Sequence, residues 1–125
     1  MARFGSDEAG FSIDAIASSV KVRAWGFWDA ATAARFPPAV FEALAAAGPR
    51  AELLVDVTEL KPQREAGQAA LHEVIEGTVR LGLRRAELVV TNAITRMQLA
   101  RIVREAGARS WTLSAPIPPA RPNGG

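Results

Sequence analysis

Residues 53–71 read LLVDVTELKPQREAGQAAL, an apolar run that ends on Asp56, a short polar loop, and the opening of a helix near Glu65. An unbroken apolar run of strand length marks a strand covered on at least one face and flanked by others. Over residues 65–81 the apolar side chains return at Ala70, Leu71, Val74, Ile75 and Val79, while Glu65, Gln68, His72, Glu76 and Arg80 take the polar edge. That is the 3.6-residue period of a helix with one buried stripe. A strand feeding a helix is half of a β-α-β unit, so this stretch predicts an α/β domain.

Towards the N-terminus, residues 11–17 (FSIDAIA) and 20–26 (VKVRAWG) alternate apolar and polar at period two around Ser18-Ser19, which predicts a β-hairpin. Val20, Val22 and Ala24 then face a core, and Lys21, Arg23 and Trp25 face the other way. Trp25, Phe27 and Trp28 end this strand, and such rings are expected to cap the core, an exposed one pointing instead to an interface. Asp29 is a plausible N-cap for a helix that Pro37-Pro38 should kink or split, with Gly48-Pro49 as its stop. Phe36, Val40, Phe41 and Leu44 fall on one side of it.

Towards the C-terminus, residues 86–92 (AELVVTN) predict another buried strand. Thr91 or Asn92 can cap a third helix over residues 93–106, closed by Gly107, and WTLSA is a short last strand. The expected order is β-β-α-β-α-β-α-β. It forms a mixed, mostly parallel sheet with helices packed on it, whose first hairpin supplies an antiparallel edge. Residues 1–10 are expected to be a flexible N-terminus, residues 11–114 the domain, and the Pro/Gly-rich residues 115–125 a flexible tail.

Composition agrees with one domain: 125 residues suffice for a single core, and 49% apolar content excludes disorder for the middle of the chain. The absence of cysteine removes disulfides, thiolate metal sites and cysteine nucleophiles together. The N-terminus has no apolar signal core and no run is long enough to span a bilayer, so a cytoplasmic location is expected. Residues 1–62 carry six basic and eight acidic groups and residues 63–125 nine and five, a mild polarity that hints at an acidic partner surface for the second half. No clustered basic stripe with aromatic context predicts nucleic-acid binding.

Two segments resemble the STAS domain family, the anti-sigma-factor antagonists. GFWDAATAARF, residues 26–36, is similar to that family's G-x-(L/F)-D-A-A-T-A-x-x-(L/F). The strand and loop from Asp56 keep the spacing of its D-L-S-x-V-x-x-(I/M)-D-S-S-G-x-x-x-L, with Gly67 on the family glycine and Leu71 on its leucine. The resemblance implies a non-enzymatic regulatory domain in signalling and transcription regulation, docking an anti-sigma factor or kinase-like protein. The residues expected at that contact are Asp56, Thr58, Arg64, Glu65, Gly67 and Asn92. Family members that act as switches carry a phosphorylated serine in the D-S-S-G turn. Here Glu65 stands in its place, no serine or threonine occurs from Glu59 to Glu76, and Thr58 is only a weak candidate acceptor. Glu65 either imitates a phosphate permanently or merely complements the positive end of its helix.

A different class of function also fits an α/β domain of this size: a small-molecule or lipid carrier, with a pocket between sheet and helix lined by Trp28, Phe36 and Phe41. An exposed sheet edge would let two copies pair as a homodimer. His72 and Glu76 share a helix face, but no second His or Cys exists to complete a metal site, so no metal or other cofactor is expected. Arg96, Arg101 and Arg104 could bind an anion at the third helix, though such arginines are usually a solvated edge. No nucleophile, base and orienting group can be assembled, and no catalytic residue is expected.

Overall fold

A computed structural model describes residues 2–116. In chain order the elements are β1 (Ala2–Gly5), β2 (Gly10–Ile16), β3 (Ser19–Gly26), α1 (Ala30–Ala47), β4 (Glu52–Leu60), α2 (Glu65–Leu81), β5 (Ala86–Val89), α3 (Ala93–Glu105) and β6 (Trp111–Ser114). The six strands form one sheet in the order β1-β2-β3-β4-β5-β6. The first three pair antiparallel and β3 to β6 pair parallel. The α/β class and mixed sheet are as expected, but the order gains a strand at its start.

That strand corrects the expectation of a flexible N-terminus. Phe4 pairs with Phe11 across β1 and β2, and their rings stack with centroids 4.9 Å apart. An apolar partner at that register is enough to hold a polar, glycine-flanked segment in the sheet. Of the tail, only Ala115 and Pro116 lie within the described residues.

Burial alternates along the strands. Phe11, Ile13, Val20, Val22, Leu53, Val55, Ala86 and Leu88 join one core with the inner stripes of the helices. Their neighbours Asp14, Lys21, Arg23, Leu54, Asp56 and Glu87 lie on the other face, which is not buried. All three helices therefore pack on one face, as consecutive crossovers of a single hand require. Parallel strands usually have both faces covered; here the uncovered face is polar in sequence, so it tolerates water.

Two local expectations are corrected. The hairpin turn is Ala17-Ser18, closed by the Ile16 and Ser19 pair, with Ala17 at φ 55°. A two-residue turn whose twist matches the strands needs positive φ, which outweighs the cost of placing alanine there. Pro37 and Pro38 do not split α1, which runs unbroken from Ala30 to Ala47. The missing N–H groups deprive the carbonyls of Ala33 and Ala34 of their usual helical partners. Burial of Phe36, Pro37, Val40 and Leu44 on the sheet offsets that loss.

Candidate functional site

The strand-to-helix loops meet at the carboxyl ends of β3, β4 and β5, and Gln63 ties them together. Its Oε1 accepts from Trp28 N at 3.2 Å, and its Nε2 donates to Gly26 O at 3.1 Å and Lys61 O at 2.7 Å. Its backbone N–H donates to Gln98 Oε1 at 3.0 Å. Its carbonyl accepts from Gln98 Nε2 at 3.0 Å and Gln68 Nε2 at 2.8 Å. One buried amide thus links the β3–α1 loop, the β4–α2 loop, α2 and α3. Nothing in the sequence singled it out, since a lone glutamine in a polar loop reads as solvated. The one available signal was Gly67, four residues later.

Gly67 is buried, and a Cβ there would meet the Oε1, Cβ and Cγ atoms of Gln63. The glycine is required because the Gln63 side chain lies against the first turn of α2. Its place in the site is therefore to seat Gln63, and it presents no surface of its own.

Asp56 is not at a strand end, as expected, because β4 continues four residues beyond it to Leu60. Pairing with β3 shifts there: Arg23 faces Asp56, but Trp25 faces Glu59, so β4 carries a bulge. Asp56 Oδ1 accepts from the Thr58 N–H at 3.0 Å and from the Thr58 hydroxyl at 2.7 Å. The carboxylate thus satisfies a donor that the bulge takes out of the ladder. The bulge also turns Glu59 outward, where its Oε2 lies 2.8 Å from Arg23 Nη2. Asp56 and Thr58 therefore sit on the open sheet face, where the Thr58 carbonyl accepts from the Thr91 hydroxyl of the β5–α3 loop at 3.3 Å. With its hydroxyl on Asp56 and two carboxylates beside it, Thr58 would place a phosphate in a repulsive setting.

The remaining expected residues are at the loop edge. Asn92 caps α3, its Oδ1 accepting from Ile94 N and Thr95 N, both at 2.9 Å. Asp29 caps α1 in the same way, accepting from Thr32 N at 2.7 Å. Hydrogen bonds from the Thr32 N–H and hydroxyl hold the Asp29 carboxyl below the usual range. Arg64 begins α2 without a side-chain cap and lies over the Phe27 ring at 5.9 Å, while Glu65 is exposed in the first turn.

The aromatic cluster divides. Trp25 and Trp28 are buried, with indole N–H groups donating to Ser6 O at 2.8 Å and Gly10 O at 2.9 Å. Phe27 is 42% exposed, contrary to a purely core role. On the neighbouring α3, Ile94 is 58% and Met97 72% exposed. Gln98 of the same helix is hydrogen-bonded to Gln63, so the N-terminal half of α3, which carries Ile94 and Met97, and the loop that carries Arg64 belong to one hydrogen-bonded platform.

The carrier pocket expected behind α1 is filled. Phe11, Trp28 and Phe36 pack ring against ring, with centroids 4.7 to 5.8 Å apart. Phe41 instead rests on Gly77 and lines a groove of about 650 Å³ between the C-terminal halves of α1 and α2. His72 Nε2 lies 3.0 Å from Glu76 Oε2, and Arg80 Nη1 lies 3.0 Å from Glu76 Oε1. Among the described residues no group of three or more His, Cys, Asp or Glu is placed to hold a metal. Arg101 donates to Gln68 Oε1 and lies 3.8 Å from Glu105, an internal role rather than an anion site. No helix among the described residues is long and apolar enough to cross a membrane. Compared with models of protein families and with curated proteins, the chain matches none.

Proposed function

We propose that the chain is a non-enzymatic regulatory domain of STAS type that docks a partner protein through the edge formed by its strand-to-helix loops. The reading rests on the sequence similarity around Asp56 to Leu71 and on one observation: Phe27 is left exposed beside Arg64, and Ile94 and Met97 are exposed on α3, which Gln98 ties to Gln63. Aromatic, methionine and arginine side chains are enriched at interface cores. A platform held by Gln63 loses little entropy on binding. The edge is also where open α/β sheets bind their ligands. The partner fitting the resemblance is an anti-sigma factor or kinase-like protein in the cytoplasm. With Glu65 at the switch position, docking is not controlled by serine phosphorylation.

Affinity capture from the native host with wild type and with the double variant Ile94→Asp/Met97→Asp tests the reading. Wild type should retain a protein that the variant loses, and that protein should then be assayed for ATP-dependent kinase activity. Identical captures, or recovery of only a lipid or metabolite, would overturn it. If Glu65→Ala gains a kinase-type partner that wild type ignores, Glu65 acts as a permanent phosphate mimic; unchanged binding leaves it a helix-start charge.

A further inference from the structure

The opposite end of the molecule carries a second surface. Three helix-to-strand loops and the hairpin turn lie side by side there, joined by backbone hydrogen bonds. Glu52 N donates to Ser18 O at 2.9 Å, Leu53 N to Arg85 O at 3.2 Å, and Ala86 N to Ser110 O at 3.1 Å. The loops contribute Arg50, Arg84, Arg85 and Arg109, all exposed; the exposed Glu52, first in β4, and the half-buried Glu87 line a pocket there with Lys21 and Arg85, so the basic groups at this end outnumber the acidic ones. Complementing a helix dipole does not account for them, because that effect falls off within the last turn. Arg50, Arg84, Arg85 and Arg109 lie beyond the ends of their helices. Apolar side chains stand out at the same end: Ile16 is 79% and Leu81 64% exposed. Leu81 continues the apolar wall of the groove lined by Phe41, Leu44, Pro49 and Leu83.

We infer that this end is a docking surface for an anionic lipid bilayer. Arg50, Arg85 and Arg109 precede three adjacent strands. Strands are about 4.8 Å apart, so these arginines spread over roughly 10 Å, more than one phosphate group can bridge. A plane of anionic headgroups meets them all at once, and clusters of four or more Lys/Arg bind such membranes. The protruding Ile16 and Leu81 separate a bilayer from a polyanion such as duplex DNA, because only the bilayer offers an acyl boundary to receive them. Binding here leaves the platform at the other end free, so the inference does not depend on the partner proposed above.

Co-sedimentation of the full chain with phosphatidylglycerol/phosphatidylcholine vesicles, at low and at about 0.15 M salt, tests it. Wild type should partition onto these vesicles in a salt-sensitive way and not onto pure phosphatidylcholine. Arg84→Glu/Arg85→Glu should lower the partition coefficient on the order of 30-fold or more. Leu81→Asn should lower it severalfold with the salt dependence unchanged. Both variants change exposed side chains, and circular dichroism checks that they fold. No binding to anionic vesicles at low salt, or equal binding by the double arginine variant, would overturn the inference. Binding to duplex DNA that survives Leu81→Asn, without vesicle binding, would assign the arginines to nucleic acid instead.

Discussion

Gln63 uses both N–H donors and the carbonyl of its side chain inside the molecule. Replacing it with alanine leaves Trp28 N in the core and Lys61 O short of a partner, while Gly26 O keeps the Lys61 N–H as its other donor. Each unsatisfied buried group costs about 1–3 kcal/mol, so Gln63→Ala should lower the melting temperature clearly. Gly67→Ala should do the same by a different route. Alanine favours a helix over glycine by about 1 kcal/mol, but its Cβ would displace Gln63, and overpacking costs about 1–3 kcal/mol. Urea unfolding should therefore show net destabilisation; a gain in stability would mean that Gln63 is free to move. Asp29 makes a pH prediction. Its carboxyl is held below its ordinary value in the folded state. Its contribution is therefore present above the unfolded carboxylate pKa and lost as pH falls through the lower, folded one. Asp29→Asn, which keeps a capping oxygen, should differ least from wild type at the acid end of a melting-temperature profile. Residue types alone identified the Asp29 cap and offered Asn92 for α3, because capping is local. Gln63 was invisible, since its partners lie up to 37 positions away.

At the scale of elements, α1 departs most from expectation. Pro38 is exposed in the helix interior. A proline there is disfavoured by about 3 kcal/mol relative to alanine, less roughly 0.4–1 kcal/mol for its stiffening of the unfolded chain. Pro38→Ala should raise stability by about 2 kcal/mol, measured as a shift in the denaturant midpoint; a loss would mean that Pro38 makes a contact alanine cannot replace. The helix was expected to kink or split because local chemistry opposes it, and it stays one helix because Phe36 and Val40, on either side of the prolines, are fully buried. β4 shows the reverse case. Its apolar run was legible, but its end was not, because Asp56 reads as a terminator when its carboxylate is in fact satisfied by the Thr58 N–H at the bulge.

For the whole molecule, β1 and residues 6–9 cover the outer edge of the antiparallel half, and Trp25 lies beneath them with Arg3 at 5.2 Å and Arg23 at 5.5 Å from its ring. Removing residues 1–9 should expose Phe11 and Trp25 and leave β2 as an unprotected edge. The truncated chain should show red-shifted tryptophan fluorescence and a concentration-dependent elution volume; unchanged spectra would mean that β1 contributes no packing. Period and propensity by themselves determined the α/β class, the three helices and five of the six strands, because burial imposes period 2 or 3.6 on any chain that folds this way. Tertiary structure alone decided that Asp56 and Thr58 belong to the open sheet face, that Gly67 seats Gln63, and that Phe27, Ile94 and Met97 are left exposed. Which side chain is left uncovered depends on the packing of segments distant in sequence, and no local pattern encodes that.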